Sequence, residues 1–295
     1  MRVFVTGATG FVGSAVVANL IQAGHQVQGL TRSDAGAQML TAAGATPHRG
    51  DLADLDSLRR GADMADGVIH CAFDHDFSKF AANCEQDRRV IGAMGSVLAG
   101  SDRPMVITSG TGMGKTASSQ IAFEDVFNPE EMNPRVASEL EGALQLQAGV
   151  NVSVVRLPQV HNTVKQGLIS YGVAIAREKG VSAYIGEGQN RWPAAHLLDV
   201  AAVFRGALER RTPGARYHAV AEEGIAMRDI AEVIGRGLKV PVVSVSAQEA
   251  PAHFGWLSMF AAVDMPASSA WTRQVLGWTP VGPGMLEDLA GMNYK

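Results

Sequence analysis

The sequence predicts an α/β fold in which a doubly wound parallel sheet is joined to a smaller, mixed C-terminal lobe. Short β-rich runs alternate with longer helical patterns through the first half of the 295 residues. Several of these runs are apolar without alternation, which is typical of strands that helices cover on both faces. The chain also holds 33 glycines, a share above the usual value of about 7%. A high glycine content is typical of a fold with many tight turns.

The strands and helices of the first half follow one another in a regular order. We expect strands at residues 2–6, 26–30, 46–49, 67–71, 104–108 and 152–156, and helices at residues 11–22, 35–43, 55–60, 77–98 and 134–147. Repeated strand–helix–strand units of this kind build a parallel sheet with right-handed crossovers.

The rhythm changes after residue 156. We expect helices at residues 197–209, 227–238 and 285–291, among short strands at residues 183–185, 217–220 and 242–245. This half predicts a lobe over the carboxyl ends of the strands, where such sheets bind ligands. No linker is visible, so the lobes are expected to interweave. Residues 1–160 with about 197–220 would form the nucleotide-binding domain, and about 161–196 with 221–295 the substrate lobe.

Composition excludes several classes of function. The net charge is −4 and the paired arginines are scattered, which argues against a nucleic-acid partner. No run reaches the 18 apolar residues of a membrane span. Two cysteines cannot form a disulfide framework, which indicates a reducing compartment. The chain opens on a strand without a leader pattern, so we expect a cytoplasmic protein.

A glycine turn lies between the first strand and the first helix. It reads Thr6-Gly7-Ala8-Thr9-Gly10-Phe11-Val12-Gly13. The first glycine permits the tight turn, the second allows the backbone to approach a pyrophosphate, and the third lets the helix pack on the strand. The helix N-terminus then presents free N–H groups to the phosphates. The turn therefore predicts a dinucleotide site that includes Gly7, Thr9, Gly10, Phe11, Val12 and Gly13.

With the glycine turn, five further segments resemble the extended and atypical short-chain dehydrogenase/reductase superfamily, in the same order along the chain. They are Gly50-Asp51-Leu52, Val68-Ile69-His70-Cys71-Ala72, Arg156-Leu157-Pro158-Gln159-Val160, Arg191-Trp192-Pro193-Ala194-Ala195-His196 and Leu276-Gly277-Trp278-Thr279-Pro280. The resemblance spans nearly the whole chain. It implies a Rossmann-type dinucleotide domain, with adenine near Asp51 and Leu52 and nicotinamide near Pro158 and Val160. Cys71, Ala72, Phe73 and Ser109 complete the implied cofactor contacts.

The end of the second strand selects the cofactor. A carboxylate there would accept hydrogen bonds from the ribose and repel a 2′-phosphate. The chain instead reads Thr31-Arg32-Ser33, with no acid before Asp34. A guanidinium binds phosphate bidentately, so Arg32 and Ser33 predict NADP(H); a solvated surface arginine is the alternative.

The catalytic pair of most of this superfamily is missing. The resemblance implies a Tyr-x-x-x-Lys pair on one helix, in which the ammonium favours the phenolate. No tyrosine of this chain is followed by lysine four residues later, and Arg135 and Glu139 stand near the expected positions. Arginine cannot act as an acid near neutral pH, so we expect a structural Arg135–Glu139 pair. The resemblance is therefore limited to an atypical subgroup of this superfamily that lacks the Tyr-x-x-x-Lys pair.

Four residues are candidates for the missing proton donor. Gly110 takes the usual serine position, and Ser109 and Thr111 flank it, although turn capping explains either hydroxyl equally well. His161 titrates near neutral pH. Tyr171 follows on the next helix, where core packing is the alternative role.

Two further patterns carry less weight. Residues 110–116 resemble a phosphate-binding loop, but three residues instead of four separate its glycines; a mobile rim over the nicotinamide is the better interpretation. His70, Cys71, His75 and Cys84 lack metal-ligand spacing, so no metal is expected. His196 is expected to anchor its loop.

These observations favour an NADPH-dependent oxidoreductase that reduces a carbonyl or related group of a small molecule. The alternatives are an NADP(H)-binding sensor without turnover, or an epimerase or dehydratase acting on a nucleotide sugar. The resemblance also implies a homodimer through residues 77–98 and 134–147. Val90, Ile91, Met94, Val97 and Leu98 exceed what one buried helix face requires, which supports that expectation.

Overall fold

The structure, a computed structural model, describes residues 1–116 and 120–294. Its first half holds six strands: β1 (Arg2–Thr6), β2 (Gln26–Thr31), β3 (Thr46–Arg49), β4 (Gly67–His70), β5 (Pro104–Gly110) and β6 (Asn151–Leu157). The helices between them are α1 (Phe11–Gln22), α2 (Asp34–Ala42), α3 (Leu55–Asp63), α4 (Phe80–Ser96) and α5 (Val136–Gln147). Every predicted element of this half is present, and no bound differs from the prediction by more than three residues.

The second half is a mixture of short elements. Its strands are β7 (Gln159–His161), β8 (Ser182–Ile185), β9 (Arg191–His196), β10 (Arg216–His218), β11 (Glu222–Ala226) and β12 (Val242–Val245). Its helices are α6 (Ile169–Lys179), α7 (Leu197–Arg210), α8 (Met227–Leu238), α9 (Ala250–Phe254), α10 (Ser258–Ala261), α11 (Ala270–Leu276) and α12 (Met285–Ala290).

The central sheet has seven parallel strands in the order β10-β6-β5-β4-β1-β2-β3. The chain runs outward from β1 to β3 and then returns to build the other half from β4. The direction therefore reverses between β1 and β4, and such a switch point opens a crevice at the carboxyl edge of the sheet. The predicted doubly wound parallel sheet is confirmed.

A smaller lobe of mixed strands covers that edge. Its two sheets have the orders β11-β9-β7 and β12-β8, and the β11–β9 pair is antiparallel. The mixed lobe was predicted, but β7, β9 and β11 were not predicted as strands. β7 has only three residues, and β9 carries a proline, which weakens the strand pattern.

Apolar side chains fill both faces of the large sheet. Helices α1 and α7 cover one face, and α3, α4 and α5 cover the other. Val90, Ile91, Met94 and Leu98 of the α4 region are fully buried inside this second core. The apolar excess that suggested a dimer therefore belongs to the core of the chain, and the homodimer stays a prediction without that support. Within the described residues, no helix is long and apolar enough to cross a membrane.

Candidate functional site

A cleft of about 1350 Å³ lies between the carboxyl edge of the sheet and the smaller lobe. This exceeds the roughly 300–1,000 Å³ of drug-sized ligand sites, so it has room for a dinucleotide and a second molecule. All the residues predicted to contact the cofactor line it: Gly7, Thr9, Gly10, Phe11, Val12, Gly13, Arg32, Ser33, Asp51, Leu52, Cys71, Ala72, Phe73, Ser109, Pro158 and Val160.

The glycine turn has the geometry that a pyrophosphate requires. Gly7 has a φ of +67°, and a Cβ at this position would lie 2.7 Å from the backbone nitrogen of Ala72. A Cβ on Gly13 would lie 2.0 Å from the carbonyl oxygen of Gly7. No side chain caps the N-terminus of α1, and its first turn has no acidic residue. The first N–H groups of this helix are therefore open to an anionic ligand.

The far end of the cleft presents a cation beside the end of β2. The side chain of Arg32 is 84% exposed, and its Nη1 lies 3.9 Å from Oδ2 of Asp51. Ser33 caps α2 by accepting a hydrogen bond from the backbone N–H of Gly36. Asp34, the nearest acid in sequence, pairs with Arg49. An exposed guanidinium beside the Asp51 carboxylate thus follows the end of β2.

A buried carboxylate connects the sheet to α4 and α5. Oδ1 of Asp87 lies 2.9 Å from Nε2 of His70, while its Oδ2 accepts from Arg135 at 2.6 Å and from the hydroxyl of Ser138 at 2.6 Å. Nδ1 of His70 lies 2.6 Å from the hydroxyl of Thr6. The neighbouring Arg135 and His70 hold the pKa of Asp87 well below its usual range despite burial. This carboxylate is therefore charged and fixes the guanidinium.

Arg135 lies in the cleft, and this overturns the expected Arg135–Glu139 pair. Its side chain is 13% exposed, donates to the Thr108 carbonyl at 2.8 Å, and lies 4.2 Å from the centre of the Phe73 ring. Glu139 instead accepts from Arg156 at 2.7 and 2.8 Å and from Arg216 at 3.0 Å. The i, i+4 spacing gave the wrong partners because each side chain finds an opposite charge on another element.

The ion pair between Glu139 on α5 and Arg156 on β6 has a structural role beneath the cleft. Both side chains are fully buried. Burial and the nearby Arg156 lower the pKa of His218 to about 3. This imidazole is therefore neutral and adds no charge next to the ion pair. Nη1 of Arg156 lies 3.2 Å from Nε2 of His218.

Three of the four proposed catalytic residues line the cleft, and they differ in their exposure. Thr111 is buried in the wall, where a short 3₁₀ turn follows β5. Ser109 contributes to the wall, yet its hydroxyl oxygen is buried away from solvent. Tyr171, on α6, is 39% exposed at the mouth. Ser109, Thr111 and Tyr171 therefore stay candidates, and Tyr171 is the most exposed of the three.

His161 lies away from the cleft and was wrongly assigned to it. It is fully buried, and its Nδ1 lies 2.6 Å from Oδ2 of Asp288 on α12. Burial lowers its pKa, although Asp288 acts in the opposite direction. His196 caps α7 by accepting from the N–H of Leu198, which agrees with its expected anchoring role.

Residues 110–116 contain a short 3₁₀ turn instead of a phosphate loop, and most of them line the cleft. Met113 and Gly114 are buried, and Nζ of Lys115 donates to the Asp264 carbonyl at 2.6 Å. The ammonium is thus used to join this segment to the smaller lobe.

Sequence reasoning missed several residues that line the cleft. They are His75, Phe77, Phe80, Lys165 and Phe260, in addition to Arg135. Burial and the nearby Lys165 lower the pKa of His75, so its imidazole is neutral near pH 7. Phe77 and Phe80 follow β4, which ends near the expected cofactor. Their position after this strand was the one feature of the sequence that could have placed them in the cleft.

Comparison with known proteins agrees with this geometry. The model of the NAD dependent epimerase/dehydratase family matches residues 3–220. Uncharacterized protein C2A9.02 of Schizosaccharomyces pombe is 47% identical over 100% of both chains. UDP-glucose 4-epimerase of Streptomyces lividans is 26% identical, with 95% of this chain and 91% of that protein covered.

Solved structures share the fold at lower identity. DesIV, a dTDP-glucose 4,6-dehydratase of Streptomyces venezuelae solved with NAD, has a TM-score of 0.77 and 19% identity, covering 98% of this chain and 95% of that one. The UDP-glucose 4-epimerase of Thermus thermophilus has a TM-score of 0.75 and 18% identity, covering 100% and 99%. With the family match over most of its length, the chain belongs to the NAD-dependent epimerase/dehydratase family.

Proposed function

We propose that the protein is an NADPH-dependent oxidoreductase that reduces a carbonyl or related unsaturated group of a small molecule. Gly7, Gly10 and Gly13 would hold the pyrophosphate, and Arg32 would pair with the 2′-phosphate. Pro158 and Val160 would contact the nicotinamide, which would supply a hydride when bound. The substrate carbon takes the hydride and its oxygen takes a proton, which yields an alcohol and the oxidised coenzyme.

The position of Arg135 carries this proposal. Its guanidinium is fixed in the cleft by Asp87 and the Thr108 carbonyl, where a fixed charge favours negative charge developing on a substrate oxygen. A guanidinium can neither give nor take a proton near neutral pH. Reduction of a carbonyl at this point therefore needs a separate group to donate the proton.

Two hydroxyl groups are the proposed donors. Thr111 is buried in the wall beside the expected nicotinamide and would hydrogen-bond the substrate oxygen. Tyr171, which lines the cleft and is 39% exposed, would deliver the proton. Cys71 takes no part as a nucleophile, because burial raises the pKa of its thiol to about 12 and the thiolate is the reactive form.

The 26% identical UDP-glucose 4-epimerase supports a second candidate, the interconversion of a nucleotide sugar. That chemistry first removes a proton from a hydroxyl group. No tyrosine of the chain is followed by lysine four residues later, as in the pair that usually accepts this proton, so we rank this candidate second.

The test is NADPH oxidation with a panel of aldehydes, ketones, quinones and imines. We expect sustained consumption of NADPH with at least one member. Tight NADPH binding without consumption would support a sensor, and conversion of UDP-glucose without net consumption would support the epimerase.

A further inference from the structure

Six aromatic side chains meet at the mouth of the cleft, and we call them the aromatic cluster. Phe77 is its centre: its ring centre lies 5.5 Å from that of Phe80, and 6.2 Å from those of Tyr171 and Phe260. Phe73 lies 6.2 Å from Phe80. These five rings all line the cleft.

Trp256 is the sixth ring of the aromatic cluster and lies outside the cleft lining. Its ring stacks on Phe77 at 4.5 Å with an interplanar angle of 13°, and it meets Tyr171 at 5.0 Å. Although it has these two neighbours, Trp256 is 40% exposed. The cluster joins the segment after β4 to α6 and α10, so it brings both lobes together over the expected nicotinamide.

The neighbours of the aromatic cluster are apolar as well. Leu168, Met259, Val263 and Met265 line the same side of the cleft, and Met259 is exposed. Exposed apolar and aromatic side chains that line a pocket indicate an apolar ligand. Methionine, which is flexible and polarisable, also makes favourable contacts with aromatic rings.

The charges that line the cleft leave no surplus for a second anion. The described lining holds four basic residues, Arg32, Lys115, Arg135 and Lys165, and four acidic residues, Asp51, Asp74, Glu130 and Glu131. Arg135 already pairs with Asp87, and the ammonium of Lys115 binds a carbonyl. A phosphorylated coenzyme adds further negative charge. With Arg135 and Lys115 engaged, Lys165 would face a nucleoside diphosphate in the substrate half, and one ammonium does not balance the charge of a diphosphate.

We infer that the substrate is a neutral, planar aromatic carbonyl compound whose ring contacts the aromatic cluster. The carbonyl group of this substrate rests on the proposed reduction, whereas the preference for an uncharged aromatic ring follows from the residues that line the cleft. Aromatic contacts discriminate by geometry beyond the apolar area that they bury. A saturated ring of the same skeleton should therefore bind less well.

Calorimetry on the protein saturated with NADP⁺ tests this preference without requiring turnover. The probes are 2-naphthylmethanol, its fully saturated decahydro counterpart, and UDP-glucose. We expect 2-naphthylmethanol to bind about three- to ten-fold more tightly than the saturated alcohol, and UDP-glucose to bind more weakly than either. Equal binding of the two alcohols, or tighter binding of UDP-glucose, would overturn the inference.

Two tryptophans offer a matched pair of variants. Trp256 and Trp271 are 40% and 39% exposed, and each stacks on one ring, Trp271 on Tyr217 at 5.4 Å and outside the cleft lining. Phe77→Leu removes a ring that lines the cleft and should remove most of the aromatic preference, whereas Trp271→Leu should keep it. Trp256→Leu, which removes the ring stacked on Phe77, is a second variant should Phe77→Leu fail to fold. Retention of the preference in the cluster variants would overturn the assignment.

Reduction of 2-naphthaldehyde separates this inference from the proposed function. If the aromatic alcohol binds selectively but no carbonyl compound is reduced, the proposed function is wrong and the aromatic preference stands. If aldehydes are reduced with no preference for aromatic rings, the proposed function stands and the aromatic assignment is wrong.

Discussion

The two halves of the cleft are built in different ways. The half that faces the glycine turn depends on backbone geometry over residues 7–13 and on the side chain of Arg32, which is local to one strand end. The half that faces the smaller lobe is assembled from segments far apart in sequence, held by Asp87 and Arg135 and covered by the aromatic cluster. Local geometry can be inferred from sequence patterns, whereas partners brought together by folding cannot.

The largest effect is expected where the assembled half depends on one buried charge. Asp87→Asn keeps the side-chain shape but leaves Arg135 without its partner. Breaking a buried ion pair costs about 3–5 kcal/mol, and the free energy of unfolding, measured in urea at pH 7, should fall by about this amount. Glu85→Gln, on the same helix but pairing with Arg88 and Arg89 at the surface, is the control and should leave stability unchanged.

The same variant predicts a pH dependence. Because the folded protein depresses the pKa of Asp87, its contribution is fully present above the unfolded value of about 3.9. It is lost as pH falls toward the lower folded value. The stability gap between the native protein and Asp87→Asn should be constant from pH 5 to 7 and narrow below about pH 4. A gap that widens in acid would contradict this account.

The glycine turn provides the matching test of the local half. Gly13→Ala places a Cβ 2.0 Å from the Gly7 carbonyl oxygen, so the turn must shift. We expect NADPH affinity, measured by fluorescence titration, to fall about 100-fold. Gly172→Ala adds its Cβ in open space on α6, and the titration should not change.

The sequence predicts the local half of the cleft better than the assembled half. The glycine turn, the Asp51-Leu52 segment and Arg32 were all located correctly in the cleft, because each lies at a strand end and strand ends of a parallel sheet converge. Arg135 and Glu139 were paired wrongly, because their true partners, Asp87 and Arg156, lie 48 and 17 residues away. Nothing in the spacing around His161 indicates its buried bond to Asp288 on the last helix.

Arg32 sharpens the comparison with a smaller effect. Arg32→Ala should weaken NADPH binding about ten- to a hundred-fold, the effect of losing a charge-assisted hydrogen bond, while NADH binding changes little. Arg60→Ala on α3, an exposed arginine outside the cleft lining, is the control. Equal affinity of the native protein for NADH and NADPH would show that Arg32 does not select the cofactor.

The smallest effect is expected for Tyr171. Tyr171→Phe keeps the ring in the aromatic cluster and removes the hydroxyl, so kcat should fall by at least about ten-fold while KM for an aromatic aldehyde changes little. Tyr171→Leu should raise KM as well. If kcat is unchanged in Tyr171→Phe, the proton comes from another group, and Thr111 becomes the first to examine.

Transfer of deuterium from NADPH tests the central claim most directly. The protein is incubated with NADPH fully deuterated at C4 of the nicotinamide and with 2-naphthaldehyde, and the products are analysed by mass spectrometry. The account predicts one deuterium in the alcohol for each NADPH oxidised, bound to the former carbonyl carbon. Bound NADPH that stays unoxidised with every carbonyl compound, or UDP-glucose that is converted while the coenzyme pool remains constant, would contradict it.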